Sequence, residues 1–207
     1  MTNVLIVEDD SMARTLFEMF VKNNDNYKLT ASIESASMAE LYCVRNSVDL
    51  ILMDVCTGFG SSGLEAAAKI KKAFPHIKII IVTSQPECDF ITRAKEAGVD
   101  SFWYKEPYEE VIIEIMNRTM AGESVYPDST PQLKLGEAFS KEFTKTELEV
   151  LRELTSGDTD EEIANRLYLS TWTVRKYIKT MLEKTGFKSR TQLAVAARES
   201  GLVIKGY

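Results

Sequence analysis

Asp54 closes a run of four apolar residues, Leu-Ile-Leu-Met, whose composition is typical of a buried strand. Glu8 and Asp9 follow a second run of this kind, Thr83 follows a third, and Lys105 follows a fourth. In open parallel α/β sheets, ligand sites lie at the carboxyl ends of the strands. The sequence therefore predicts that these acids, this hydroxyl and this ammonium share one site.

The first 121 residues alternate strand and helix signals, which favours a doubly wound parallel sheet of five strands with helices on both faces. The predicted strands are Asn3–Val7, Lys28–Ile33, Asp49–Met53, Lys78–Val82 and Ser101–Tyr104. The predicted helices between and after them are Ser11–Lys22, Ser37–Arg45, Ser62–Phe74, Glu87–Ala97 and Tyr108–Met120. At the start of the first helix, Asp10 is predicted to act as the N-cap.

The rest of the chain has a different organisation. Residues 122–140 contain two prolines and two glycines among polar residues, a pattern typical of a linker. From residue 141 onward strand alternation is absent, and the pattern predicts a second, all-α domain of four helices over residues 141–207. The helices are predicted at Thr146–Ser156, Asp160–Leu167, Thr171–Thr185 and Arg190–Ser200.

Composition restricts the class of protein. The chain has 207 residues, of which 44% are hydrophobic and 27% charged. Its apolar runs are far shorter than the roughly 20 residues of a membrane span, and no signal peptide is evident at the N-terminus. The three cysteines are odd in number and lack metal-site spacing. We therefore expect a cytoplasmic protein with no membrane partner.

The formal net charge of −6 is unevenly distributed. Residues 141–207 contain 12 Lys and Arg against 10 Asp and Glu, whereas residues 1–140 contain 13 against 21. Such an asymmetry between two halves of a chain indicates a nucleic-acid-binding end.

The acidic strand ends suggest phosphoryl chemistry. Two or three carboxylates near a strand end suit Mg²⁺, which takes one or two carboxylates together with waters and phosphate oxygens. Asp54 could also attack a phosphorus centre and form an acyl phosphate. Lys105 would then offset charge on the transferred group, and Thr83 would donate a hydrogen bond to one of its oxygens.

These residues, together with Arg14, give residues 1–121 a resemblance to the receiver domain of two-component response regulators. The resemblance implies that a sensor histidine kinase phosphorylates Asp54. It also implies that Mg²⁺ is held by Asp9, Asp54, the main-chain carbonyl of Cys56 and, through water, Glu8. Phe102, three residues before Lys105, would act with Thr83 as a switch and rotate inward on phosphorylation.

The loop after Asp54 departs from the receiver pattern. Receivers usually have a proline shortly after the phospho-acceptor and a glycine eight positions after it. Here the run from Val55 to Gly63 lacks proline, is one residue longer and is richer in glycine. The departure bears on the mobility of the loop and on the lifetime of a phosphoryl group at Asp54.

The C-terminal region resembles the LuxR-type helix-turn-helix of the NarL/FixJ group. The matching motifs are Phe-Thr-Lys-Thr-Glu-Leu-Glu-Val-Leu from residue 143, Glu-Ile-Ala-Asn-Arg-Leu from 162, Thr-Val-Arg-Lys from 173 and Lys-Ser-Arg-Thr-Gln from 188. A basic helix of this kind fits the major groove of double-stranded DNA. We expect Arg175, Lys176 and Lys179 to approach base edges. Candidates for phosphate contacts, which position without specifying, are Thr144, Thr173, Lys188 and Arg190.

The predicted function is a DNA-binding transcriptional regulator, not an enzyme, switched by phosphorylation of Asp54 and homodimeric when active. An alternative is an atypical regulator that binds DNA without phosphate and uses the receiver domain as a dimer scaffold. A haloacid-dehalogenase-like phosphatase is disfavoured because Cys56 stands where the second acid would be. A dinucleotide-binding fold is disfavoured because no Gly-x-Gly-x-x-Gly follows the first strand.

Overall fold

The computed structural model describes residues 1–85, 89–105, 109–128 and 132–203. The chain divides into two compact units, with the main division after Asp128. The first contains the parallel sheet and the second contains the C-terminal helices.

The main sheet of the described residues has five parallel strands in the order β2-β1-β3-β4-β5. The strands are β1 (Thr2–Val7), β2 (Tyr27–Ile33), β3 (Leu50–Asp54), β4 (Lys78–Thr83) and β5 (Ser101–Tyr104). The predicted doubly wound sheet is confirmed, and the strand bounds differ from the prediction by at most one residue at either end.

Strand position explains the sequence pattern. All five residues of β3 and the last five of β4 are buried, because these strands lie inside the sheet and helices cover both faces. The predicted strand start at Asp49 is one residue early. The Asp49 carboxylate accepts a hydrogen bond from the Asn3 amide at 2.7 Å, just before β3 begins.

The helices of the first unit pack on this sheet. They are α1 (Ser11–Lys22), α2 (Ala39–Arg45), α3 (Gly63–Ala73), α4 (Phe90–Glu96) and α5 (Glu109–Met120). Asp10 caps α1 as predicted, since its carboxylate accepts a hydrogen bond from the Ala13 amide at 2.7 Å. On one face of the sheet, Phe17 and Phe20 of α1 join Ile112 and Met116 of α5 in a single core.

The second unit contains α6 (Lys145–Thr155), α7 (Asp160–Arg166), α8 (Thr171–Thr185) and α9 (Arg190–Ser200). Its core is formed by apolar residues from all four helices, including Leu151, Ile163, Val174 and Leu193. The four predicted helices are thus present, and the predicted bounds of α8 and α9 are those of the structure.

Both ends of the stretch predicted as a linker are packed. Val125 accepts a hydrogen bond from the Phe102 amide at 2.8 Å, beside β5 at the edge of the sheet. A short antiparallel pair, Lys134–Leu135 with Ala138–Phe139, precedes α6, and Leu135 and Ala138 are buried in the helical core. The extent of the linker stays a prediction, and residues 129–131 lie outside the described part of the chain.

Candidate functional site

The carboxyl ends of β1 and β3 and the residue after β5 bring together two carboxylates and one ammonium. The Lys105 Nζ lies 3.1 Å from Asp54 Oδ2 and 2.6 Å from Glu8 Oε2. The other Asp54 oxygen accepts a hydrogen bond from the Val55 amide at 2.7 Å. The predicted convergence of strand ends therefore occurs, and Lys105 bridges the two buried acids.

Asp9 adds a third carboxylate at the exposed side of this cluster. One carboxylate oxygen from each of Glu8, Asp9 and Asp54 lies within 4.8 Å of the others. With Lys105 as the neighbouring cation, the group carries excess negative charge when all three acids are ionised. Oxygen ligands with excess negative charge suit a divalent cation such as Mg²⁺.

Burial changes the proton affinity of these groups. Burial and the repulsion of Asp54 raise the pKa of Glu8 to about 7. Burial also raises the pKa of Asp54, although Lys105 opposes the change. Burial alone would lower the pKa of Lys105, but the attraction of Asp54 and Glu8 outweighs it and raises that pKa. A bound cation that replaces their protons would therefore stabilise the ionised forms of the two acids.

The long loop after Asp54 is ordered by a small hairpin. Cys56–Thr57 pairs antiparallel with Ser61–Ser62. The Thr57 hydroxyl donates to the Ser61 carbonyl at 2.8 Å and accepts from the Ala36 amide at 2.9 Å. Phe59 at the tip has a φ of 60°, in the left-handed region of backbone conformation. Hydroxyl contacts thus hold this loop, and the Cys56 carbonyl stays a predicted metal ligand.

Gly63 lies close to Asp54. A Cβ at this position would come 1.9 Å from the Asp54 main-chain oxygen. The Gly63 amide also donates to the Val55 carbonyl at 2.8 Å. A glycine nine positions after Asp54 therefore allows the close approach of α3 to the end of β3.

Thr83 and Phe102 lie on the neighbouring strands. Thr83 is wholly buried at the end of β4, and its carbonyl accepts a hydrogen bond from the Lys105 amide at 2.9 Å. The Phe102 ring is 1% exposed. It packs edge-on against Tyr104, with ring centres 5.1 Å apart, and stacks on Tyr126 at 6.4 Å. Phe102 is thus buried in this structure, and its rotation on phosphorylation stays a prediction.

The side chain of Arg14 binds the main chain of the loop that carries Glu8 and Asp9. Its guanidinium donates to the carbonyls of Glu8 and Asp9 at 2.8 and 3.2 Å and pairs with Glu34 at 3.0 Å. It therefore shapes the turn that presents the two acids.

The second unit presents a basic helix. Arg175, Lys176 and Lys179 on α8 are all exposed. The Lys176 Nζ lies 5.7 Å from the centre of the Trp172 ring, and Lys179 lies 3.8 Å from Glu183. The three cations predicted to approach bases thus lie on the solvent-facing side of α8.

The four residues predicted to contact phosphates lie at helix starts or in the turn before α9. Thr144 is the exposed N-cap of α6, and Thr173 is half-buried in the first turn of α8, 2.8 Å from the Ser170 hydroxyl. Lys188 is exposed in the turn before α9. Arg190 is engaged internally, because its guanidinium binds Asp160 and the Asp158 carbonyl, each at 2.8 Å.

Sequence reasoning missed two features of this surface. Trp172, in the first turn of α8, is 71% exposed, and a large exposed aromatic side chain beside Lys176 is a candidate for contact with bases. The signal available was its place next to the Thr-Val-Arg-Lys motif. The second feature is Asp160, whose carboxylate pairs with Arg175 and Arg190 at 2.9 and 2.8 Å.

Two regions of the chain match known families. Residues 4–117 match the response regulator receiver domain, and residues 141–197 match the bacterial regulatory proteins of the luxR family. The chain is a response regulator. It belongs to the group that joins a receiver domain to a LuxR-type DNA-binding domain, and that family is composed of regulators rather than enzymes in general.

Relatives extend over the whole regulator. The uncharacterized transcriptional regulatory protein YxjL of Bacillus subtilis is 29% identical, and the alignment covers 97% of this chain and 96% of YxjL. The response regulator VraR of Staphylococcus aureus is 28% identical, with 97% and 98% covered. RcsB of Salmonella enterica serovar Typhimurium, solved bound to a promoter with the phosphomimetic BeF3⁻, has a TM-score of 0.61 at 17% identity, with 96% and 98% covered. The likeness to RcsB shows the shared fold.

No helix in the described parts of the response regulator has the length and apolar character needed to cross a membrane.

Proposed function

We propose that this response regulator is a transcription factor whose DNA binding is switched by phosphorylation of Asp54. The observation that carries the proposal is the contact of Lys105 with both Asp54 and Glu8, at 3.1 and 2.6 Å, at the carboxyl end of the sheet. It places an ammonium beside the carboxylate that would be phosphorylated. The LuxR-type domain in the same chain supplies the output.

In the proposed reaction, an ionised Asp54 oxygen attacks the phosphorus of a phosphohistidine on a sensor histidine kinase. The new P–O bond forms as the P–N bond breaks, and the imidazole nitrogen keeps the electron pair and takes a proton from solvent. The residues that would hold Mg²⁺ are Glu8, Asp9, Asp54 and the Cys56 carbonyl, and the bound ion would offset charge on the phosphoryl oxygens. Hydrolysis of the acyl phosphate by water would reset the switch.

The phosphoryl group would add roughly −2 charge at Asp54. Lys105 would turn from Glu8 to this group, and the Thr83 hydroxyl would donate to one of its oxygens. Phe102 is already buried, so we propose that it responds by repacking against Tyr126 rather than by entering the core. That repacking would bias an existing equilibrium between two states of the receiver.

For the output, α8 would enter the major groove of double-stranded DNA, with Arg175, Lys176 and Lys179 toward base edges. Thr144, Thr173 and Lys188 would contact phosphates. Two half-sites about one helical turn apart require a homodimer, as in RcsB, which has been solved as dimers bound to DNA. The half-exposed Val195 on α9 favours that helix as the dimer surface of the output domain.

The test uses the whole chain with acetyl phosphate and Mg²⁺. We expect intact-mass measurement to find one added phosphoryl group in the wild type and in Asp25→Asn, a control for an exposed acid distant in sequence from the site. We expect no addition in Asp54→Asn. Duplex binding and dimer mass should rise with phosphodonor only where Asp54 is present. Retention of the phosphoryl group by Asp54→Asn would refute the site, and equal duplex affinity of wild type and Asp54→Asn with the donor would refute the switch.

A further inference from the structure

The Asp160 carboxylate lies between two arginines of different helices. Its Oδ2 atom is 2.9 Å from the Nε of Arg175 on α8, and its Oδ1 atom is 2.8 Å from the Nη1 of Arg190 on α9. Asp160 itself is the first residue of α7. One acid therefore ties together three helices of the LuxR-type domain.

Arg190 fixes the acid in place. Its Nη1 binds Asp160 and its Nη2 donates to the Asp158 carbonyl at 2.8 Å, so both terminal nitrogens are used within the protein. Arg190 thereby serves as an internal anchor. A carboxylate held from one side in this way presents its other oxygen in a defined position.

The contact with Arg175 leaves the readout edge of that guanidinium accessible. Arg175 is exposed and, in the described structure, bonds to Asp160 through Nε alone. The two terminal nitrogens therefore remain available as parallel donors. Arginine reads guanine with two parallel N–H groups that bind the O6 and N7 atoms. A guanidinium already held at Nε loses less conformational freedom when it forms that pair.

The other two residues of α8 that are expected to approach bases lack such a support. Lys176 lies over the Trp172 ring, and Lys179 faces Glu183 across 3.8 Å at an exposed position. A lysine ammonium is also a point charge without the planar fork of arginine. Of these three residues, Arg175 is therefore the best-oriented donor.

We propose that Asp160 is a positioning residue for sequence readout: it holds Arg175 in the orientation that reads a guanine in the major groove. The proposal rests on the proposed function, in which α8 enters that groove. It also accounts for an acid on a DNA-binding face, since two arginines compensate its charge.

The test compares the base preferences of four full-length proteins, each with acetyl phosphate and Mg²⁺. The probe is a pool of duplexes with a randomised central segment, from which bound sequences are selected and read. The proteins are the wild type, Asp160→Asn, Arg175→Lys and Glu161→Gln. Glu161 is the matched control, because it neighbours Asp160 in the first turn of α7, is exposed and loses the same unit of charge. Unfolding curves establish that each variant is folded.

We expect the wild type and Glu161→Gln to prefer the same sites. Arg175→Lys should lose the preference for guanine at one base pair of each half-site, by on the order of tenfold. Asp160→Asn should lose preference at that same base pair, while its affinity for unselected duplex stays equal to that of Glu161→Gln.

Asp160→Asn with an unchanged preference at the base pair that Arg175→Lys affects would overturn the proposal. So would an unchanged preference in Arg175→Lys. A different result, in which the wild type selects no sequence at all, would count against the proposed function itself, and the two failures are thereby distinguished.

Discussion

Replacing Gly63 by alanine is expected to disturb Asp54 without changing any charged group. The added Cβ would lie 1.9 Å from the Asp54 main-chain oxygen and 3.0 Å from the Met53 side chain. Even a contact of 3.0 Å, below which real Cβ atoms essentially never come, requires a shift of about 1.1 Å. The obstacle is main chain, so rotation of a side chain cannot relieve it, and the end of β3 or the start of α3 has to move.

The expected magnitude follows from that displacement. Overpacking of this kind costs about 1–3 kcal/mol of unfolding free energy. A misplacement of about 1 Å at a reacting group can reduce a rate on the order of 100-fold. We therefore expect Gly63→Ala to fold with reduced stability and to accept phosphate much more slowly.

The assay measures the rate of Asp54 phosphorylation by acetyl phosphate with Mg²⁺, together with urea unfolding. Gly98→Ala is the control, because its φ of 73° makes alanine strained while open space surrounds the site. That variant should lose about 1–2 kcal/mol of stability and keep the wild-type rate. A folded Gly63→Ala protein that is phosphorylated as fast as the wild type would refute the reasoning.

Three further predictions concern pH, a partly buried pair of salt bridges and the loop. Because the pKa of Glu8 in the folded protein, about 7, exceeds its usual 4.5, the unfolding free energy without Mg²⁺ should fall as pH rises between these values. The affinity for Mg²⁺ should rise over the same window, and an affinity by calorimetry that is independent of pH would contradict this. Asp100 pairs with Lys71 and Lys78, each at 2.9 Å, so Asp100→Asn should lower the free energy of unfolding in urea by about 3 kcal/mol. A loss under about 1 kcal/mol, the typical value of a surface pair, would show that the pairs contribute little. Phe59 is 98% exposed at a φ of 60°, so Phe59→Asn, which tolerates that conformation, should raise the melting temperature, and a lower value would show that the ring makes a stabilising contact.

The sequence was sufficient to predict the sheet and the convergence of its polar strand ends. Apolar runs of strand length between helical repeats admit few topologies, and parallel strands place their carboxyl ends on one edge. Asp54, Glu8 and Lys105 could therefore be assigned to one site, although 97 residues separate the last two in the chain. The capping role of Asp10 was equally predictable, because it depends only on local backbone geometry.

Only the tertiary structure decided which partner each polar or charged side chain contacts. The sequence of the glycine-rich loop suggests mobility, yet the Thr57 hydroxyl accepts a hydrogen bond from the Ala36 amide, and this contact orders the loop. Asp160 stands beside other acids in the sequence, yet the packing of three helices brings it between Arg175 and Arg190. Such pairings depend on how separate elements cross and on the direction of each side chain. Local periodicity carries no information about either, so the sequence determines where the charges lie along the chain and the folded structure determines which of them meet.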